Sequence, residues 1–101
     1  DHCLQVISTA DIIGNIMVGC GASGIAVNAN LGNGTAETVN IEFNTVDDMI
    51  TLNTTSNGEY MIRGNIITGQ IVCVPSGTCD ARVGFENNFS AESNGTGITS
   101  I

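Results

Sequence analysis

The sequence contains no lysine and no tryptophan, and only one proline, one tyrosine and one histidine. Two arginines stand against ten acidic residues, which gives a formal net charge of −8. A chain this acidic is repelled by phosphate backbones and by anionic lipid surfaces, so we expect no nucleic-acid partner. The scarcity of aromatic residues also excludes a stacking platform for bases or sugars.

Long apolar runs are absent as well, so no stretch is long enough to predict a membrane span. Charged residues make up only 12% of the chain, about half the usual share, and the polar residues are mainly Asn, Thr, Ser and Gly. This balance is typical of extracellular β proteins. With 101 residues and 42% hydrophobic residues, we expect a single folded domain over residues 1–101.

Four cysteines in a short chain predict two disulfides and an oxidising compartment. Cys3, Cys20, Cys73 and Cys79 lack the paired spacing of a zinc site. Local pairing, Cys3 with Cys20 and Cys73 with Cys79, is the expectation, and the other pairings stay open. The chain opens on Asp1 and shows no leader, as expected for the mature form of a secreted protein.

Four Asn-X-Ser/Thr sequons fall in predicted turns or polar loops, where a glycan can be accommodated. They begin at Asn33, Asn53, Asn88 and Asn94. The sequence therefore predicts a glycoprotein, with Asn33 and Asn94 as the leading candidates.

Alternation of apolar and polar residues predicts strands along most of the chain. Residues 25–31 and 39–43 alternate on either side of Asn33-Gly34, which predicts a β-hairpin. Residues 46–52 predict a further strand, which Asn57-Gly58 joins to the next as a second hairpin.

The segment 59–86 holds the densest apolar run and predicts the centre of the fold. Residues 60–74 indicate two strands or one bent strand, and residues 79–86 indicate another. The turn signal at 74–77 and the flanking cysteines predict a disulfide-stapled hairpin here.

Residues 8–20 are ambiguous between a helix and a strand. Gly14 and Gly19 and the β-branched residues around them favour the strand. The hexapeptide 14–19 also resembles 64–69. Two bent strands explain this sequence similarity more simply than an internal duplication does.

Seven or eight short strands with turn signals between them predict an all-β fold, a small disulfide-stapled antiparallel β-sandwich of Ig-like or jelly-roll-like type. Residues 87–97 are interpreted as a polar connector to a possible C-terminal strand. Ile98 and Ile101 in that strand, and Leu4 and Val6 near the amino terminus, are the candidates for strand pairing between subunits.

These residues offer little basis for catalytic chemistry. His2 is the only histidine, and no Gly-X-Ser-X-Gly elbow occurs, so a hydrolase triad is not expected. The acids Glu37, Glu42, Asp47, Asp48 and Glu59 are interpreted as solvated residues in preference to a catalytic pair. Copper at His2 and calcium at the loop acids are the alternatives, and no metal or cofactor is predicted.

Residues 3–7, Cys-Leu-Gln-Val-Ile, together with Gly19-Cys20 and the short strands after them, resemble the small secreted β-sandwich effectors and toxins of plant-pathogenic fungi. The resemblance is confined to residues 3–20 and carries over no functional residue.

The sequence as a whole leaves two functions as expectations. The first is a non-enzymatic extracellular structural subunit that assembles with itself into a fibre or surface coat by strand pairing. The alternative is a small secreted binding module that acts on a host protein.

Overall fold

The structure is a computed structural model that describes residues 2–7, 9–27, 38–53, 59–74, 83–90 and 98–100. This part of the chain contains strands and no helix. The strands, in chain order, are β1 His2–Val6, β2 Ala10–Ile13, β3 Ile16–Met17, β4 Ser23–Val27, β5 Thr38–Glu42, β6 Thr45–Val46, β7 Ile50–Asn53, β8 Glu59–Arg63, β9 Ile66–Ile67, β10 Ile71–Val74, β11 Val83–Glu86, β12 Asn88–Ser90 and β13 Ile98–Ser100.

The strands wind into a β-solenoid, in which successive turns of the chain stack on one another. Sheet A has the order β1-β4-β7-β10, sheet B the order β11-β8-β5-β2, and sheet C the order β13-β12-β9-β6-β3. Three consecutive strands form one coil, one from each sheet: coil 1 is β1–β3, coil 2 is β4–β6, coil 3 is β7–β9 and coil 4 is β10–β12. β13 extends sheet C beyond coil 4.

Every described strand pair is parallel, so the predicted antiparallel sandwich is wrong. The three predicted hairpins are wrong for the same reason. The strands on either side of each predicted turn, β4 and β5, β7 and β8, and β10 and β11, belong to different sheets and do not pair with each other. The turn at Asn33-Gly34 and the segment 75–82 themselves lie outside the described residues.

Strand positions were predicted better than strand pairing. The strand interpretation of the ambiguous segment 8–20 is confirmed, since β2 and β3 lie there. The segment 60–74 belongs to three strands, where two strands or one bent strand were expected, because the chain turns a corner at Gly64 and again at Gly69. Strand β12 occupies residues 88–90, at the start of the segment that was predicted to be a connector.

The core consists of inward-facing aliphatic side chains stacked in register from coil to coil. In sheet A, Leu4, Ile25, Ile50 and Ile71 form one such stack, and in sheet B, Ile12, Ile41 and Ile62 form another. The fully buried members are Ile25, Val39, Ile41, Val46, Ile50, Leu52, Ile62, Ile67, Ile71 and Cys73. In-register parallel strands place equivalent side chains of neighbouring coils directly beside each other. Branched side chains pack well in such rows.

An asparagine stands at the corner between sheets B and C in each coil. Asn44, Asn65 and Asn88 are almost completely buried, and Asn15 occupies the same corner in coil 1, where it is exposed. Each Nδ2 donates to the Oδ1 of the asparagine in the next coil, at 3.0 Å from Asn15, 3.0 Å from Asn44 and 2.9 Å from Asn65. The four side chains thus form an asparagine ladder that runs along the solenoid.

The same amides also bind the main chain. The Oδ1 of Asn65 accepts the backbone N–H of Asn44 at 2.9 Å, and its Nδ2 donates to the carbonyl of Ile41 at 2.9 Å. Asn44 and Asn88 donate in the same way to the carbonyls of Ile12 and Ile62. The ladder therefore satisfies main-chain groups that the turn between two sheets removes from strand pairing.

The residue before each asparagine has a left-handed backbone. The φ angles are 71° at Gly14, 56° at Phe43, 68° at Gly64 and 54° at Asn87. Glycine and asparagine tolerate this conformation, whereas Phe43 adopts it at a cost. The Phe43 ring lies over Gly64, where an added Cβ would come within 2.5 Å of Cδ1 of the ring.

Replacing a ladder asparagine tests its role in stability. Asn65→Ala would leave the carbonyl of Ile41, the N–H of Asn44 and the Oδ1 of Asn88 without this partner inside the core. We expect the free energy of unfolding to fall by at least about 3 kcal/mol, measured by urea denaturation. Asn40→Ala is the matched control, because Asn40 bonds Asp11 on the surface, and it should cost less than about 0.5 kcal/mol. Equal losses for the two variants would contradict a structural role for the ladder.

Candidate functional site

The open end of coil 1 is the first candidate site. A depression of about 460 Å³ is lined by Leu4, Gln5, Val6, Ile7, Thr9, Ala10, Asp11, Ile12 and Asn15. All nine residues belong to coil 1, and they include inward-facing core residues such as Val6 and Ile12. The described lining therefore places the depression at coil 1, the terminal coil of the described solenoid, beside residues of the core.

Edge strands form this end of the described solenoid. β1, β2 and β3 are the terminal strands of sheets A, B and C, so each pairs with a described strand on one side only. The main-chain groups on the other side of an edge strand are a template for pairing with another strand. Apolar side chains accompany them, since Leu4 is half-buried and Ile7 is 62% exposed. Strand edges and apolar surface together are what strand addition requires.

A disulfide and a hydrogen bond fasten coil 1 in addition to its strand pairing with coil 2. The disulfide expected between Cys3 and Cys20 is present, with a Cα–Cα distance of 5.2 Å. It links β1 to the segment that follows β3 and so closes coil 1 into a loop. The Oγ of Ser23 and the Nδ1 of His2 are 2.6 Å apart, which joins β1 to β4. Ser23 is buried, so this contact is a fastening within the sheet and not an exposed nucleophile.

A second depression, of about 540 Å³, lies over the outer face of sheet B. Its lining consists of Thr38, Asn40, Glu59, Tyr60, Met61, Arg63 and Gly84. Glu42, Arg63 and Glu86 occupy one row of this face in adjacent coils, and the Arg63 guanidinium lies 3.0 Å from Glu42 and 3.9 Å from Glu86. The hydrogen bond and charge of Glu42 raise the pKa of Arg63 above its ordinary value. This row is a surface ion-pair ladder, in which the carboxylates of Glu42 and Glu86 both lie beside the Arg63 guanidinium.

The predicted acids are not brought together. Glu42 accepts a hydrogen bond from Arg63. Asp47 lies just after β6, where its Oδ1 accepts from the Thr68 hydroxyl at 2.9 Å and its Oδ2 accepts from the Gly19 amide at 3.3 Å. Glu37 lies outside the described residues. Within the described ranges, no group of three or more His, Cys, Asp or Glu side chains is placed to hold a metal ion. No described segment is a helix long and apolar enough to cross a membrane.

The predicted strand-pairing residues lie at both ends of the solenoid. Leu4 and Val6 are in β1, at the edge of sheet A, and Ile98 is in β13, at the edge of sheet C. Both terminal strands pair within their own chain, β1 with β4 and β13 with β12. Ile101 lies outside the described residues.

The structure excludes Asn88 from the glycosylation candidates in the folded chain. Its side chain is fully buried, and its Nδ2, the atom that would carry a glycan, donates to the carbonyl of Ile62 at 2.7 Å. Asn33 and Asn94 lie outside the described residues, and Asn53 is described in its backbone only. Cys73 is fully buried in β10, and its predicted partner Cys79 also lies outside the described residues.

Sequence reasoning missed the asparagine ladder and the open end of coil 1. The signal for the ladder was present as the repeated hexapeptide at 14–19 and 64–69, which begins at the same corner of coils 1 and 3. The ladder spacing is irregular, with separations of 29, 21 and 23 residues, and this hides the repeat.

Comparisons with protein-family models, with curated proteins and with solved structures found no significant match.

Removing the disulfide tests how coil 1 is held. In Cys3→Ser/Cys20→Ser, the loss of a closed loop of this length should weaken coil 1 by about 3 kcal/mol, or roughly a hundredfold in its opening equilibrium. Hydrogen exchange should show the amides of β2 losing protection while those of β8 retain theirs, because coil 3 is supported from both sides. An equal loss in β2 and β8 would contradict local fastening by the disulfide.

Proposed function

We propose that this chain is a non-enzymatic structural subunit, exported from the reducing cytosol, which assembles end to end by strand pairing at coil 1. The observation that carries the proposal is the end of coil 1, where β1, β2 and β3 are edge strands of the three sheets and where β1 and β2 line a depression with the apolar residues Leu4, Val6 and Ile12. The Cys3–Cys20 disulfide and the sparse charge support an extracellular location.

The topology supports head-to-tail growth. The same three sheets end in β1, β2 and β3 at one end of the described solenoid and in β10, β11 and β13 at the other. A second copy placed on coil 1 would present its last strands to these edges in the parallel sense that each sheet already has. Such a contact joins two different surfaces, so its repetition gives an open filament and not a closed dimer.

The composition of the edge supports the same proposal. β-proteins commonly block exposed sheet edges with lysine or proline, and strands β1, β2 and β3 contain neither. Asp11 is their only acidic residue. These edges thus lack the usual features that prevent pairing between molecules.

A charge placed on the end of coil 1 tests the proposal. In Leu4→Lys, the ammonium group would have to be desolvated before another chain could pack over the depression, so we expect end-to-end polymers to be lost while each subunit stays folded. Thr51→Lys is the matched control, because Thr51 lies in the middle of sheet A and adds the same charge away from both ends. Light scattering and negative-stain microscopy measure assembly, and urea denaturation verifies folding.

Regular polymers of the native chain that persist in Thr51→Lys and disappear in Leu4→Lys would support end-to-end assembly. A native chain that stays monomeric throughout would overturn it and would favour the binding module that acts on a host protein. Equal effects of the two substitutions would also overturn it, because the end of coil 1 would then have no special role.

A further inference from the structure

Sheet C carries a row of exposed apolar side chains that end-to-end assembly does not use. Ile16, Ile66 and Phe89 share one outward-facing position in coils 1, 3 and 4, and Thr45 holds that position in coil 2. With Val18 and the corner residue Phe43 they form what we call the apolar stripe. The exposed fractions are 77% for Ile16, 74% for Val18, 62% for Phe43, 47% for Ile66 and 43% for Phe89.

The apolar stripe is large for the surface of a small monomer. Side chains of this size and exposure present on the order of 500 Å² of apolar surface, which is at the upper end of the patches that monomers carry. A stable interface takes about 800 Å² from each partner. The stripe with its polar border therefore matches one side of a modest protein–protein interface.

The distribution of charge identifies the partner. The central row of the stripe carries no charged residue, whereas the row Glu42-Arg63-Glu86 lies on sheet B, around the corner. Two chains of net charge −8 repel each other, and contact through this apolar row brings two copies together without placing carboxylates against each other. The central row of the stripe offers no charge complementary to a basic or an acidic partner. We propose that the apolar stripe binds the apolar stripe of a second copy of this chain.

The order of side chains along the row specifies how the copies meet. A half-turn about an axis that is parallel to the strands and lies between coils 2 and 3 reverses the order of the coils, so that coil 1 faces coil 4 and coil 2 faces coil 3. Ile16 then faces Phe89 of the second copy, and the small Thr45 faces the larger Ile66. Asp47 faces Thr68 of the second copy, so no carboxylate meets another. If each coil instead faced its own counterpart, Thr45 would face Thr45 and leave a gap at the centre of the contact.

This contact is independent of the proposed end-to-end contact, because its surface lies on the side of the solenoid and Leu4 lies on its end. The Leu4→Lys background therefore isolates lateral association. In that background, sedimentation equilibrium should show a reversible monomer–dimer equilibrium. Loss of all association in Leu4→Lys would overturn the lateral inference and leave the end-to-end proposal standing. Dimers that persist in Leu4→Lys and depend on the stripe would support the lateral inference alone.

Ile66→Thr tests whether the dimer uses the stripe. Thr45 already holds this outward-facing position in coil 2, so threonine suits the strand. The substitution occurs twice in a two-fold dimer, and we expect the dissociation constant to rise about a hundredfold, at about 1.4 kcal/mol for each copy. Ile7→Thr removes an exposed isoleucine from the end of coil 1 and should leave the lateral dimer unchanged. Similar effects of Ile66→Thr and Ile7→Thr would contradict the inference.

A charge-pair rescue tests the arrangement. Ile16→Lys and Phe89→Glu should each abolish the dimer, because each buries an unpaired charge. The double variant Ile16→Lys/Phe89→Glu should restore it, since every lysine then faces a glutamate of the second copy. The two positions lie three coils apart in one chain, roughly 14 Å at the spacing of sheet strands, so they cannot pair within it. A double variant as monomeric as the single variants would overturn the coil-reversed arrangement.

Discussion

The rest of the structure depends on the hydrogen bonds of the asparagine ladder. Each amide buried at the corner of sheets B and C hydrogen-bonds an amide of a neighbouring coil, which requires the corners of successive coils to lie directly beside each other. The corner therefore has the same length in the first three coils, with two residues between the strand of sheet B and the strand of sheet C. Differences in coil length appear between sheets A and B, where β4 ends at residue 27 and β5 begins at residue 38.

This constraint explains what could be predicted from the sequence. Alternating residues place side chains inside or outside a sheet whether the neighbouring strand is parallel or antiparallel, so the strands at 25–27 and 39–42 were predicted while their pairing was not. Asn-Gly turns are equally compatible with a hairpin and with a bend between two sheets. The ladder could be recognised only from asparagines at irregular separations, and only 14–19 and 64–69 preserve enough of the corner to be visible.

The three faces of the solenoid differ because outward-facing positions repeat from coil to coil. A residue type that recurs once per coil becomes a row along the axis: Glu42, Arg63 and Glu86 form a charged row on sheet B, and Ile16, Ile66 and Phe89 form an apolar row on sheet C. Inward-facing rows are restricted to residues that fill the core. The three outer faces therefore differ in chemical character through the residue types at their outward-facing positions. The candidate sites were missed from sequence because residues far apart in the chain become neighbours only in the correct register.

The asparagine ladder also sets the character of any contact at the end of the solenoid. In sheet C, Ile98 is the register partner of Asn88, so the position that holds an asparagine in coils 1 to 4 holds an apolar residue in β13. A ladder of amides cannot continue through β13 into another copy. Coils within one chain are joined by main-chain pairing, core packing and buried amides, whereas a junction between copies would have only the first two. Because buried amides leave costly unsatisfied groups when they separate, their absence makes the junction the weakest level of the stack, where an assembly would separate before its subunits unfold.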